Sequence, residues 1–459
     1  MTTFRAAAHQ NVFLPRGSSA VDAILSVSAH EGDGIAWDTV PEGGSVEVIM
    51  ADCSGSMAFP SSKIEAARTA TGKAIDRLRD GTWFAIIAGS SQARMIYPEP
   101  APGPDGYSRP ALAAASIATR AAAKDAVGKL DAGGGTAIST WLGLARQVFE
   151  TRPGAIKHAL LLTDGRNESE EAARLTAELE RCLGAFQCDC RGFGTDWDRV
   201  ELQGIADTLL GTTDIIPNAS QMEAEFEAII QHAMSKRVGS VFISVMTPVG
   251  GQVRFFKQVA PEVVDLTALA VWQQPVGPDG RWEVVTRAEP ARPMISLYPT
   301  GAWADGEDRE YHIGLTVPPQ AVGPEYEVRA GRIGVLVDGS MVTQIPVRAA
   351  WSDDVEVTTR INPALAHFTG QEDLARNIAE GLAARRAGDY RTATLRLGRA
   401  ASLAHAAGNR ETTRLLLRVV EIEDPERGTV RLKTDLSKED EMTLDTRSRR
   451  TVRLNRTYD

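Results

Sequence analysis

The chain has 459 residues, more than one ordinary core accommodates, so about two to four domains are expected. Hydrophobic residues make up 43% and charged residues 24%, an ordinary globular balance. The formal net charge of −10 argues against a nucleic-acid surface or an anionic-membrane surface.

The first ten residues hold no apolar core long enough for an export signal, and no run approaches the roughly 18–20 apolar residues that span a bilayer. Only four cysteines occur, Cys53, Cys182, Cys188 and Cys190, so the chain reads as cytoplasmic and reduced. Cys182, Cys188 and Cys190 lack the paired spacing of a zinc site and have no histidine nearby; they read as small core hydrophobes.

In chain order, residues 1–45 hold two strand-like runs, Val12 to Gly17 and Asp22 to Ser28. From Val46 to Met234 short apolar strands alternate with helices. Val46–Ala51 is a strand, and Ser62 to Leu78 carries Ile64, Ala67, Ala70, Ala74, Ile75 and Leu78 at helical spacing. Trp83–Ala88 and Ala93–Tyr97 are strands; a Pro/Gly cluster from Pro98 to Pro110 interrupts the chain before an alanine-rich helix, Ala111 to Leu130. There follow helix Ile138–Glu150, strand Lys157–Thr163, helix Glu168–Leu183, strand Gln187–Phe193, helix Asp198–Leu210, strand Thr213–Ile216 and helix Ser220–Met234. This alternation predicts an α/β unit with a doubly wound, mostly parallel sheet, whose ligand sites lie at the C-terminal strand ends.

Residues 239–352 change character. Seven short runs rich in Val, Ile and aromatics, punctuated by Gly and Pro, predict an antiparallel β-sandwich. Residues 1–45 resemble this segment, so their strands are expected to pair with it, leaving residues 46–234 inserted. Residues 363–424 predict a small helical bundle with turns at Gly388-Asp389 and Gly408-Asn409, the first resembling a tetratricopeptide turn. Residues 426–459 are polar, rich in threonine and in charges of both signs, and read as a tail, largely disordered or pairing as an extended strand.

The chemistry gathers at three segments. Asp52-Cys53-Ser54-Gly55-Ser56 follows the first α/β strand, Gly133-Gly134-Gly135-Thr136 opens a helix, and Thr163-Asp164-Gly165 ends another strand. All three belong at one edge of a parallel sheet, so their side chains can converge. Asp52, Ser54, Ser56, Thr136 and Asp164 are hard-oxygen donors, the set that suits Mg²⁺ and its near-octahedral oxygen shell. The glycines let the backbone turn tightly toward an ion.

These segments, in this order, resemble the metal-ion-dependent adhesion site (MIDAS) of the von Willebrand factor type A (VWA) family, over roughly residues 45 to 234. The resemblance implies that Ser54, Ser56 and Thr136 coordinate Mg²⁺ (or Mn²⁺), with Asp52 and Asp164 acting directly or through water. An Asp or Glu of a partner protein would complete the shell. Cys53 and Met57 fill variable positions and are expected to pack.

Other constellations carry less. Asn167 and Glu168 read as the cap and first turn of the following helix. The seven histidines are scattered, no GxSxG elbow holds Ser54 or Ser56, and no phosphate-binding glycine loop follows a strand, so no enzyme activity is expected. The reading is a cytoplasmic adaptor that captures a partner carboxylate through Mg²⁺. The alternative is an accessory subunit working with a AAA+ ATPase in metal insertion or complex remodelling. In the tail, Thr446 and Thr451 stand among arginines as candidate phosphorylation sites that an Arg-bearing recognition domain could grip, and a Ser/Thr kinase or forkhead-associated protein is a candidate partner.

Overall fold

The computed structural model describes residues 2–31, 43–103, 108–276, 281–286, 289 and 292–452. Residues 32–42, the end of the expected N-terminal strands, and 453–459, the end of the expected tail, lie outside the described residues. The chain divides into two compact units, one formed by residues 38–239 with 301–304, the other by residues 1–37, 240–300 and 305–459.

The first unit is an α/β layer structure. Its main sheet runs in the order Thr213–Ile216, Gln187–Phe193, Ile156–Thr163, Ser45–Asp52, Trp83–Gly89, Arg94–Tyr97. All are parallel except the edge strand Arg94–Tyr97, and residues Ala113–Ala114 add a short antiparallel pair to Trp83–Phe84. The central strands are largely apolar where helices cover them. Ile49, Ala51, Leu160 and Leu162 pack with Ile64, Ala67 and Ala74 of helix Ser62–Arg77 and with Phe226 and Ile230 of helix Ala219–Ser235. After Ser45–Asp52 the chain moves first to one neighbour, Trp83–Gly89, and later returns to the other, Ile156–Thr163. That reversal is a switch point at the C-terminal strand ends.

Two helices begin later than their periodicity predicts. The alanine-rich helix spans Ile117–Gly128 because Ser116 accepts a hydrogen bond from the Thr119 amide and stops the helix there. The helix expected over Glu168–Leu183 spans Ala172–Cys182.

In the second unit, one sheet runs Thr2–Gln10, Ala20–Glu31, Asp308–Thr316, Gln252–Ala260, Val264–Asp265. The other runs Arg281–Val285, Val271–Val276, Met294–Pro299, Val241–Thr247, Val328–Val337, Ser340–Ser352, Phe13–Pro15. Pairing is antiparallel except for Phe13–Pro15, which runs parallel to Ala350–Ser352. Phe256 of the first sheet stacks on Tyr298 of the second, ring centroids 4.1 Å apart, so the faces meet as in a sandwich. N-terminal strands thus contribute to both sheets of a sandwich whose other strands follow the α/β insertion.

The helices Pro363–Arg386, Tyr390–Ala406 and Arg410–Val419 follow, each with an Asn or Asp side chain capping its N-terminus. Gly388 and Gly408 take positive φ values of 80° and 64° at the turns, where a side chain would be strained. Phe368 and Ala364 pack on Ile24, Val259 and Ala260 of the sandwich. The segment read as a tail, largely disordered or pairing as an extended strand, is folded through residue 452. Thr429–Leu432 pairs with Val420–Asp424, and Lys438–Arg447 is a helix that places Leu444 in the core of the helical region. Ser437 caps this helix, and Arg386 pairs with Glu441 and Asp445. Several of the segment's charges are ion-paired, which its composition alone does not reveal.

Candidate functional site

The site lies at the switch point. Asp52 is the last residue of the central strand and stands directly opposite Gly89 of the neighbouring strand. Its carboxylate is fully buried and held at both ends: the Ser54 amide donates to Oδ1 at 2.7 Å, and the Thr163 hydroxyl donates to Oδ2 at 2.5 Å. A single turn of 3₁₀ helix, Gly55–Ala58, follows and carries Ser56 around to face Ser54, their hydroxyl oxygens 2.8 Å apart. The Ser56 hydroxyl donates to Asp164 Oδ1 at 2.5 Å. Asp164, just past the end of strand Ile156–Thr163, is also fully buried.

The glycine loop supplies the third side. The Gly55 amide donates to the Gly134 carbonyl at 2.8 Å and the Gly133 amide to the Cys53 carbonyl at 2.7 Å, locking the two loops together. Gly134 has φ +83°, a conformation that favours glycine. Thr136 is buried, its amide donating to the Ser169 hydroxyl at 3.0 Å. A Cβ placed on Gly165 would stand 3.1 Å from Ser56 Oγ and 3.6 Å from Thr136 Oγ1, so this glycine borders both hydroxyls. The structure therefore brings Asp52, Ser54, Ser56 and Asp164 into one hydrogen-bonded cluster, with Thr136 beside it.

Burial pushes the Asp52 carboxyl above its ordinary range; hydrogen bonds from Ser54 and Thr163 oppose this, and the nearby Asp164 charge adds to it. Two buried carboxylates and three hydroxyls concentrate negative potential at one sheet edge. Such a donor set fits a small hard divalent cation. Burial and the Asp52 charge push the Cys53 thiol up to about 12, which leaves it an inert packing group. All four cysteines are free and buried.

Three participants are given no role by the motifs. Thr163, inside the Thr163-Asp164-Gly165 segment, orients Asp52. Ser169 holds the Thr136 loop. Lys63, from the first turn of helix Ser62–Arg77, places its ammonium 2.6 Å from Asp164 Oδ2. Asn167 does not cap the helix that follows it: its Oδ1 accepts from the Ile138 amide at 3.0 Å, and Glu170 accepts from the Ser139 amide at 2.9 Å. Both therefore cap helix Ile138–Glu150, which the glycine loop opens, and this secures Thr136 from the far side.

The two threonines singled out for phosphorylation belong to the other unit. Thr446 is buried in helix Lys438–Arg447, where a phosphate could be added only if that helix came away from its core. Thr451 donates its hydroxyl to the Pro261 carbonyl at 3.1 Å, and its amide bonds the same oxygen at 2.9 Å.

Family profiles match two parts of the chain, the von Willebrand factor type A domain over residues 47–215 and the von Willebrand factor type A C-terminal domain over residues 402–448. Among solved structures, a von Willebrand factor type A protein from Catenulispora acidiphila is 40% identical, covering 98% of this chain and 97% of that one at a TM-score of 0.85. The ArnB paralog VWA2 from Sulfolobus acidocaldarius covers 98% of both chains at a TM-score of 0.52 and 14% identity, a likeness of fold. A curated Synechocystis sp. protein, described only as uncharacterized, is 26% identical over 238 residues; the match spans 48% of this chain and 49% of that protein, so the chain spans about half the length of this relative. No helix among the described residues is long and apolar enough to cross a membrane. The α/β unit is thus a VWA domain, related to metal-binding MIDAS-type protein-interaction domains. With sequence likeness running over nearly its whole length, the chain belongs to the von Willebrand factor type A family.

Proposed function

We propose that this chain is a cytoplasmic adaptor that captures a partner protein by letting a partner Asp or Glu carboxylate bind a Mg²⁺ (or Mn²⁺) ion at the oxygen cluster. One observation carries the reading: Asp52, Ser54, Ser56 and Asp164, from two segments far apart in sequence, form one hydrogen-bonded cluster of oxygen donors at a switch point of the sheet, and Thr136 from a third segment lies beside it. Ser54, Ser56 and Thr136 would hold the ion, with Asp52 and Asp164 supplying the compensating charge. The ion's contribution is that of a Lewis acid with room for one outside oxygen ligand. The protein's own residues keep the two carboxylates dry and fixed, which strengthens their pull on a cation. On this reading the chain binds and does not catalyse.

The test is direct. Calorimetric titration of the full chain with Mn²⁺ should show one site, and Asp52→Ala or Asp164→Ala should abolish it with little change in the far-ultraviolet circular dichroism. Capture of partners from the native host should be lost in EDTA and in both variants. A wild-type chain that takes up no Mn²⁺ at millimolar concentration would sink the proposal.

A further inference from the structure

Lys63 is built into the cluster from outside the motif. Its backbone amide donates to the Pro60 carbonyl at 2.9 Å, which closes the loop that runs from Ser56 into helix Ser62–Arg77. Its ammonium lies 2.6 Å from Asp164 Oδ2 and 3.5 Å from the Ser56 carbonyl. The lysine side chain retains 22% of its exposure, whereas the Asp164 side chain retains none. Asp164 is therefore shared: Oδ1 accepts from Ser56, Oδ2 from Lys63.

The consequence is electrostatic. Asp52 and Asp164 bring two negative charges to a dry pocket, and Lys63 returns one positive charge at contact distance. A divalent ion would take the local sum from −1 to +1. With Lys63 neutral, the sum would pass from −2 to 0. A lysine here opposes the first binding event, that of the cation, and favours the second, that of an anion on the loaded site.

We propose that Lys63 is a built-in counter-charge that sets these two affinities in opposite directions, weakening the hold on the metal and strengthening the loaded site's hold on an incoming carboxylate. The inference rests on the metal-site reading above. It makes Lys63 a positioning and tuning residue: its ammonium holds Asp164, and Ser54, Ser56 and Thr136 would hold the ion. The arrangement biases the site toward holding metal and partner together over holding metal alone.

The experiment uses the full chain and Mn²⁺ alone as the first probe, followed by free-ion electron paramagnetic resonance. Lys63→Met should bind Mn²⁺ about tenfold more tightly than wild type, the effect expected for removing a neighbouring like charge from a shielded site. Lys63→Gln, which keeps a polar donor but no charge, should show the same rise, and Lys63→Arg should stay within about threefold of wild type. Acetate is the second probe, added at saturating Mn²⁺ and read from the spectrum of bound Mn²⁺. Here the order should reverse, wild type and Lys63→Arg binding acetate several-fold more tightly than Lys63→Met or Lys63→Gln. A purely structural lysine would weaken both affinities on removal. Unchanged or weaker Mn²⁺ binding in both neutral variants, with metal-free melting intact, overturns the inference while leaving the site standing. No Mn²⁺ binding by any of the four chains overturns the underlying reading.

Discussion

At the scale of single residues, the candidate site depends on side chains that hold other side chains. Asp52 is fully buried, and its two oxygens accept from the Ser54 amide, the Thr163 hydroxyl and, at 3.4 Å, the Asp164 amide; the hydrogen bonds from Ser54 and Thr163 oppose the effect of burial on its charge. Thr163→Val keeps the shape and removes the hydroxyl donor. Because the acceptor is a buried carboxylate, we expect a loss of about 1–3 kcal/mol in urea unfolding and weaker Mn²⁺ uptake in the same variant. Equal stability would mean that the Asp164 amide, 3.4 Å from Asp52 Oδ2, suffices as its donor and that Thr163 does not orient it. Why the motif residues could be recognised from sequence and their supports could not is a matter of distance along the chain. Asp52, Ser54 and Ser56 stand two apart on one loop, at the end of an apolar run that any reading takes for a strand. Lys63 and Asp164 are 101 positions apart, and nothing local to a lysine in the first turn of an amphipathic helix says what its ammonium meets.

Among elements, the parallel sheet carries a feature that no spacing rule predicts. Glu47 and His158 sit side by side on adjacent strands, and Asp189 follows on the next. His158 Nδ1 lies 2.9 Å from both Glu47 oxygens, and its Nε2 lies 3.1 Å from Asp189 Oδ2. Asp189 Oδ1 also accepts from the Thr212 amide and hydroxyl, each at 2.7 Å. Burial by itself would depress the imidazole, but the Glu47 charge and the hydrogen bond to Asp189 outweigh it and raise His158 to about 10. His158→Gln should therefore cost about 3–5 kcal/mol at pH 6, since it leaves two buried carboxylates without their cation. A raised pKa gives stability that is fully present below the ordinary value of 6.5 and is lost as pH rises toward 10. Wild type should accordingly lead the variant most at pH 6 and by less with each step toward pH 10 in urea melts. A lead independent of pH would show that the imidazole is neutral. The sequence displayed these three residues as one scattered histidine and two ordinary strand carboxylates, because strand register is what joins them. For the helix Lys438–Arg447 the same cause worked in reverse. A run of mixed charge and threonine looks like a solvated tail until Arg386, Arg418 and Leu444's apolar neighbours are found opposite it.

For the whole molecule, the sandwich unit is assembled from chain segments on both sides of the α/β insertion, and that order has a mechanical consequence. Strand Ala20–Glu31 is an inner strand, paired with Thr2–Gln10 on one side and with Asp308–Thr316 on the other. Ile24, Leu25 and Val27 are fully buried, and Ile24 belongs to the cluster in which Phe368 seats the first C-terminal helix. The indole of Trp351 donates to the Ser18 carbonyl at 2.7 Å, a further tie from the second sheet back to the N-terminal segment. Removing residues 1–31 would thus strip one of the two pairing partners from the nine-residue strand Asp308–Thr316, leaving that edge open, and uncover Phe368 and Trp351 together. An unpaired apolar strand edge is a template for association between chains. The truncated chain should aggregate on expression and show no cooperative transition for the sandwich unit, even where its α/β unit folds. Adding residues 1–31 back as a separate peptide should recover some soluble protein, since the missing strand can pair without covalent connection. A monomeric truncated chain with a single sharp unfolding transition would refute this, and would mean that the later strands close the sandwich by themselves.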